Sequence, residues 1–332
     1  MQKKGILLFS GGLDSLIAAQ VLIEQGITVK AYNFLLPYEK PDYNPYQSAI
    51  AKSAHGLDME LNFVQCGDDY IKMLLDPPHG YGKNINPCID CKILFLRKAK
   101  EIMINEDAAF IATGEVNGQR PMSQRKDMII HIEKSAGLER MILRPLSARF
   151  FKPTLAEEAG IVNRDALLDI NGRGRKIQME MANKYGFTDY ATPAGGCLLT
   201  EPHYSVRAKE LFATNKSITS RDLYLLRLGR HFRIEGVKIV VARNADETNN
   251  LINLRNNNDT LFSTQFQGPS MLSPGNSKLS DSVKKTAAAI AARYGKPGKE
   301  DHEREVIVYE RDGQETIIAG SIADEQINCF KI

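Results

Sequence analysis

The sequence predicts an α/β fold, a doubly wound and mostly parallel sheet, followed by a second, smaller α+β domain. Three observations predict it. A short apolar run at residues 5–9 ends in a glycine pair and leads into apolar residues at helical spacing. The same strand-then-helix order recurs as far as residue 160, which implies parallel strands with helices on both faces. Beyond about residue 200 the texture changes to charged, Asn-rich and Gly/Ser/Pro-rich stretches.

Each element has its own signal. Residues 5–9 read as a buried parallel strand. Leu16, Ala19, Leu22 and Ile23 share a helical face, and Gly26 closes that helix. Residues 28–36 are β-branched and aromatic, hence a second strand. Residues 47–55 are helical, 60–64 a strand and 71–75 a short helix, before a Pro/Gly loop at 76–82. Residues 92–105 form a helix and 108–113 a strand; 140–145 and 155–160 repeat the pair. In the second half, 220–229 reads as a charged amphipathic stretch, 237–243 as a strand and 264–277 as a loop. Residues 280–294 form an Ala-rich helix, and 305–309 with 315–319 a strand pair turned at Arg311-Asp312-Gly313. The expected domains are residues 1–200 and 201–332.

The composition is that of an ordinary globular protein, with 43% hydrophobic and 25% charged residues. The net charge of +3 announces no nucleic-acid binder, so local clusters must carry that argument. No apolar run approaches the roughly 18 residues needed to span a bilayer. A cytoplasmic protein without membrane contact is expected. The 5 cysteines make an odd count, which argues against a disulfide framework.

Ser10-Gly11-Gly12-Leu13-Asp14-Ser15 lies between the first strand and the first helix. Glycines let backbone amides approach an anion closely, and a helix N-terminus aims free N–H groups at it. Ser10 and Ser15 add hydroxyl donors. Asp14 either caps the helix or holds magnesium (Mg2+) near the phosphates. These residues resemble the signature of the PP-loop ATP pyrophosphatases, a HUP-like fold. That resemblance implies that ATP is bound by its pyrophosphate end and that AMP is left on the substrate. The adenine is expected at the end of the second strand, around Tyr32, Asn33 and Phe34.

Asn86-Pro87-Cys88-Ile89-Asp90-Cys91 precedes a helix, and Cys197 follows the turn at residues 192–196. A helix N-terminus is expected to lower a thiol pKa. The cysteines admit a buried structural pair, which the loop contexts disfavour. They also admit zinc, one ligand short unless His79 or His203 joins; a redox pair of Cys88 and Cys91; or a persulfide relay or iron–sulfur cluster using all three. Cys66 and Cys329 read as packing residues, and His55 and His131 have no evident partner.

Residues 111–115, Gly118-Gln119 to Ser123-Gln124, Arg144-Pro145-Leu146 and 152–161 resemble the 4-thiouridine synthetase PP-loop domain. The cysteine loops are similar to those of the tRNA 2-thiouridylases, and the likeness covers about residues 5–205. It implies a 4Fe-4S cluster on Cys88, Cys91 and Cys197. It also implies that Thr113, Gly114, Gln119, Ser123 and Gln124 line the nucleotide or target-base pocket. Measured against that family, neither an N-terminal THUMP region nor a C-terminal rhodanese domain or barrel is expected from these residues.

Between residues 203 and 255 Lys and Arg outnumber Asp and Glu two to one, and phosphate contacts dominate non-specific RNA affinity. Arg227, Arg230 and Arg233 would share a helix face. Residues 229–251 faintly resemble the NFACT-R RNA-binding domain. Arg173, Arg175 and Lys176, and Arg144, complete the basic candidates. The expected activity is that of an ATP-dependent tRNA sulfurtransferase that adenylates a uridine oxygen and replaces it with sulfur from sulfide or another donor. Such an enzyme forms AMP and pyrophosphate, and a homodimer is entertained as its assembly. The alternatives are a PP-loop enzyme transferring sulfur or nitrogen to a small molecule, and a non-catalytic RNA-binding protein with a zinc site.

Overall fold

The computed structural model describes residues 3–188, 190, 197–215, 217–296 and 303–332. The chain divides into two units, Met1–Glu201 and Pro202–Ile332. In the first unit β1 (Lys4–Leu8) leads into α1 (Leu13–Ile23), β2 (Thr28–Leu35), α2 (Ala49–His55), β3 (Glu60–Gln65) and α3 (Asp68–Leu75). Then come α4 (Cys88–Asn105), β4 (Phe110–Thr113), α5 (Lys126–Ser135), β5 (Ile142–Leu143), α6 (Leu155–Glu158) and α7 (Lys176–Tyr185).

The five strands lie in the order β3-β2-β1-β4-β5, all parallel. Every residue of β4 is buried, as expected for strands covered on both faces. One face packs Leu16, Ile17, Val21 and Leu22 of α1 with Ala182 of α7. The other packs Ile93, Leu96, Ala99 and Met103 of α4 with Ile132 of α5. The chain order reverses beside β1, whose Leu8 pairs with Tyr32 on one side and Thr113 on the other. A crevice beyond the carboxyl ends of the strands opens at such a switch point. The α/β class expected from the alternation is thus borne out. The strand expected over 140–145 shrinks to two residues, because Arg140 takes a left-handed φ of 62° and Pro145 has no N–H to donate.

The second unit contains α8 (Pro202–Thr214), α9 (Ser220–Leu225), β6 (Arg230–Ile234), β7 (Val237–Val241), α10 (Ala245–Leu254), β8 (Thr260–Thr264) and β9 (Met271–Ser273). It continues with α11 (Asp281–Tyr294), β10 (Arg304–Tyr309), β11 (Gln314–Ala319) and α12 (Asp324–Phe330). Six antiparallel strands run β11-β10-β8-β9-β7-β6. Val283, Ala287, Ile290 and Ala291 of α11 pack on Phe232, Ile239, Phe262 and Val306 of the sheet.

Two expectations fail here. The 264–277 loop contains β9, an inner strand of the sheet. The charged helical stretch stops at Leu225, so Arg227, Arg230 and Arg233 do not share a helix face. Arg230 and Arg233 stand on β6, where residues three apart point to opposite faces. Among the described residues no helix is long and apolar enough to cross a membrane.

Candidate nucleotide and thiol site

The turn after β1 is built as an anion cradle. The Asn33 amide donates to the Phe9 carbonyl at 2.8 Å and pins the strand end. Gly11 takes a left-handed φ of 70°, and a side chain there would also meet Ile50. Gly12 occupies the N-cap of α1 with no side chain on the helix end, leaving that end's N–H groups to a ligand. The Ser15 hydroxyl donates to the Gly12 carbonyl at 2.8 Å, and the Ser10 and Ser15 hydroxyls lie 3.3 Å apart. Asp14 does not cap the helix. Its Oδ2 accepts from the Gln119 amide at 3.1 Å, while Oδ1 is buried without a partner among the described residues. An unmatched carboxylate oxygen at a phosphate cradle fits a magnesium ligand, since Mg2+ is usually held by one or two carboxylates plus substrate phosphates.

The cradle opens into a cavity of about 250 Å³. Leu8, Phe95 and Leu96 form an apolar wall, and Ser10, Asp14, Ser15, Lys92, Thr113, Glu115, Gln119, Arg120 and Gln124 the polar remainder. Gly114 closes the side over the cradle, where a Cβ would stand 2.7 Å from the Asp14 and Ser15 backbone. Glu115 is the charge centre of the wall. Lys92 pairs with its Oε1, and Arg144 reaches its Oε2 at 3.3 Å and the Glu133 carboxylate at 2.9 Å. Burial alone would raise the Glu115 pKa, but the two cations hold it down to about 2. The Gln124 Oε1 is buried and unpartnered among the described residues.

The thiols gather beside this cavity. Cys88 and Cys91 sit in the first turn of α4, one residue before Lys92. The Cys88 thiol lies 3.1 Å from the Ser123 hydroxyl, and Ser123 is followed directly by Gln124 of the cavity wall. The Cys91 sulfur lies 3.8 Å from the Tyr70 hydroxyl, and the Cys197 sulfur 3.9 Å from the Tyr38 hydroxyl. Tyr38 and Tyr70 are themselves hydrogen-bonded, so two phenols link the two sulfurs. Backbone contacts bring the loops together: the Ile85 N–H donates to the Leu199 carbonyl at 3.3 Å, and the Asn84 amide to the Thr200 carbonyl at 2.7 Å. The turn at residues 192–196 lies outside the described residues.

Burial decides the thiol chemistry, against the expectation from the helix end. It pushes the Cys91 thiol up, and negative charge on Cys197 or Cys88 would push it further. Burial also raises Cys197, although Arg120 draws it back. The helix N-terminus therefore does not win at Cys91. Two buried thiols, Cys91 and Cys197, that resist ionising alone would be neutralised by a cationic centre beside them. Among the described residues, no group of three or more His, Cys, Asp or Glu side chains is set to hold a metal ion.

His79 and His131, expected to be a spare zinc ligand and an unpartnered residue, hold each other. His79 Nδ1 lies 2.6 Å from Asp90 Oδ1, and its N–H donates to Asp90 Oδ2 at 3.0 Å. Its Nε2 lies 2.8 Å from His131 Nε2. Asp90 stands between the two cysteines of the CxxC, so this pair fixes the start of α4. Cys66 is buried, where burial takes its thiol to about 12. Cys329 is exposed and is no core residue.

Of the residues expected around the nucleotide, Ser10, Asp14, Ser15, Thr113, Gly114, Gln119 and Gln124 line the cavity. Gly11, Gly12 and Leu13 shape the cradle from behind. Tyr32, Asn33 and Phe34 stand elsewhere. Tyr32 donates to Glu106 at 3.0 Å, Asn33 serves Phe9, and Phe34 stacks on Phe95 with centroids 4.8 Å apart. Ser123 is fully buried and serves Cys88. Lys92, Glu115 and Arg120 were not expected; the position of Lys92 one residue past a CxxC at a helix start was the available signal. Arg144 is withdrawn as an RNA contact, because its side chain is 3% exposed and stacked over Phe151. Arg173 and Lys176 are exposed, and Arg175 is the N-cap residue of α7. Arg230 lies over the Tyr294 ring at 4.5 Å, Arg227 over Tyr224 at 5.8 Å, and Arg233 pairs with Glu210.

A parallel sheet with a glycine-paired phosphate cradle at its switch point defines a nucleotide-binding unit of the PP-loop type. Residues 1–149 match the family described as Thiamine biosynthesis protein (ThiI), and residues 229–331 match the NFACT protein RNA binding domain. The two matched segments are similar to a ThiI-family PP-loop domain and to an NFACT RNA-binding domain, and both resemblances read from the residues are borne out. Over 127 residues the chain is 30% identical to a probable tRNA sulfurtransferase of Methanosarcina mazei, covering 36% of this chain and 29% of that protein. Over 119 residues it is 30% identical to the tRNA-specific 2-thiouridylase MnmA of Sulfurimonas denitrificans, covering 34% and 35%. The chain therefore spans about a third of the length of these curated relatives. A solved 4-thiouridine synthetase–RNA complex with bound ATP is similar at 20% identity and a TM-score of 0.39, covering 67% of this chain and 52% of that one.

Proposed function

We propose that this chain is an ATP-dependent tRNA sulfurtransferase, with residues 1–200 as the catalytic domain and residues 201–332 as an RNA-binding domain. One observation carries the reading: residues 118–124 join the two halves of the chemistry. At one end of this segment Gln119 holds Asp14 of the phosphate cradle; at the other Ser123 holds Cys88. Both 30%-identical relatives act on tRNA sulfur by name, and the NFACT match supports an RNA partner. The reading is set in the cytoplasm, where tRNA and ATP meet.

The residues divide the work as follows. Backbone amides of Gly11 and Gly12 with the Ser10 and Ser15 hydroxyls receive the pyrophosphate of ATP, and Asp14 holds the accompanying Mg2+. A uridine carbonyl oxygen attacks the α-phosphorus, and pyrophosphate leaves while the cradle stabilises its charge. The base then carries AMP in place of a poor leaving oxygen. Cys88, Cys91 and Cys197 would hold a 4Fe-4S cluster, which when bound supplies an open iron position for sulfide. The Cys88 and Cys91 thiols donate to the Ser123 and Tyr70 hydroxyls, the Cys197 sulfur lies 3.9 Å from the Tyr38 hydroxyl, and these contacts orient the three sulfurs.

Anaerobic purification with iron and inorganic-sulfide analysis, alongside tRNA-dependent ATP–pyrophosphate exchange, tests this. The wild-type chain is predicted to contain both elements and to exchange, and Cys197→Ala to lose the cluster while keeping exchange. Absence of iron from the wild type, with unchanged metal content in Cys197→Ala, contradicts the cluster. Absence of tRNA-dependent exchange contradicts the sulfurtransferase.

A further inference from the structure

Residues 118–124 form a closed loop, since the Gly118 N–H donates to the Gln124 carbonyl at 2.6 Å. Arg120 lies in this loop between Gln119, which holds the phosphate cradle, and Ser123, which holds Cys88. It is exposed and forms part of the cavity wall. It has no ion-pair or hydrogen-bond partner among the described residues. The other cation of the wall, Lys92, is already neutralised by Glu115.

We propose that Arg120 grips the α-phosphate of the adenylated base and is a catalytic residue of the step in which sulfur displaces AMP. This rests on the sulfurtransferase reading and deepens it. After pyrophosphate has left, a single phosphate joins adenosine to the uridine oxygen. Inorganic sulfide, as HS⁻, attacks the carbon bearing that oxygen. The carbon–sulfur bond forms, the carbon–oxygen bond breaks, AMP departs with the electron pair, and the sulfide proton passes to solvent. Sulfur keeps its oxidation state, so no oxidant or reductant is consumed. Negative charge builds on the departing phosphate only during this step. A guanidinium placed there, able to bond two phosphate oxygens at once, stabilises the transition state more than the ground state. Its charge also favours the approach of an anionic nucleophile from the cysteine side.

The test uses the full chain, anaerobically, with a tRNA transcript and inorganic sulfide, in wild type, Arg120→Met and Arg120→Lys. Two rates are measured: tRNA-dependent ATP–pyrophosphate exchange and single-turnover thiouridine formation. Exchange is predicted to fall by a smaller factor than thiolation in both variants, because the charge that builds on the departing phosphate belongs to the later step. Thiolation is predicted to fall roughly 100-fold in Arg120→Met, the scale of losing one preorganised charge-stabilising donor, and to recover in part in Arg120→Lys. Wild-type thiolation in Arg120→Met overturns the proposal. Equal loss of exchange and thiolation, unrescued by lysine, overturns it too and makes Arg120 an ATP-binding or structural group. If the wild-type chain itself neither exchanges nor thiolates tRNA, the sulfurtransferase reading fails first.

Discussion

At the scale of single residues, the cradle depends on glycines for two different reasons. Gly11 needs its left-handed backbone, a local demand written into the Ser10–Ser15 segment and readable there. Gly114 needs its missing Cβ, because the strand end bearing it lies against the Asp14 and Ser15 backbone. That demand comes from β1 and β4 being neighbours, which no short stretch of sequence states. Gly114→Ala is predicted to displace the cradle, costing about 1–3 kcal/mol of stability as overpacking and abolishing measurable ATP binding. Calorimetric titration with Mg·ATP and a urea melt check both; an alanine variant that binds ATP like wild type contradicts the assignment. The thiols teach a similar lesson. Their spacing and loop contexts were legible, but their ionisation was not, because burial outweighs the helix end only once tertiary packing is known.

At the scale of elements, one turn of α4 serves both halves of the site: Cys88 and Cys91 face the phenols and Ser123, while Lys92 enters the nucleotide cavity. Glu115, at the end of β4, locks that turn to the sheet through Lys92 and Arg144. Its folded-state pKa of about 2 lies below the ordinary 4.5. The stability it contributes is therefore complete above pH 4.5 and is lost as pH falls toward 2. Glu115→Gln leaves Lys92 without its carboxylate and the buried Arg144 with Glu133 alone, and is predicted to cost about 3 kcal/mol at pH 7. The variant should also lose less stability than wild type between pH 5 and pH 3. Urea melts across that range measure both, and parallel pH profiles would contradict the assignment. Apolar and β-branched runs placed β1 through β4 correctly, although only β4 is buried throughout and the edge strand β3 has no fully buried residue. They failed over residues 226–234, where charged and apolar residues at mixed spacing suit either a helix end or β6, and cross-strand pairing with β7 decides.

At the scale of the whole molecule, the chain joins a PP-loop unit to a unit matching an RNA-binding family. The first was legible because its chemistry lies in contiguous motifs. The second was legible mainly through the residues around Gly229 and Arg243; its inner strand β9 lies in a Gly/Ser/Pro-rich stretch whose place in the sheet depends on β7 and β8 flanking it. Under the proposed function, the exposed pair Arg173 and Lys176 would contact the RNA backbone. Replacing both with Ala is predicted to make the dependence of log affinity for tRNA on log salt shallower, by about one unit of slope for each phosphate these side chains neutralise. Filter binding across a salt series measures this, and an unchanged slope removes these residues from the interface. The central claim is that ATP and three thiols act together on a tRNA base. Its most direct test is nucleoside mass analysis of tRNA incubated anaerobically with the purified chain, Mg·ATP and sulfide. The account predicts a thiouridine that appears only with ATP and disappears in Asp14→Asn and in Cys88→Ala. Unmodified tRNA from a preparation that contains iron and binds ATP would contradict it.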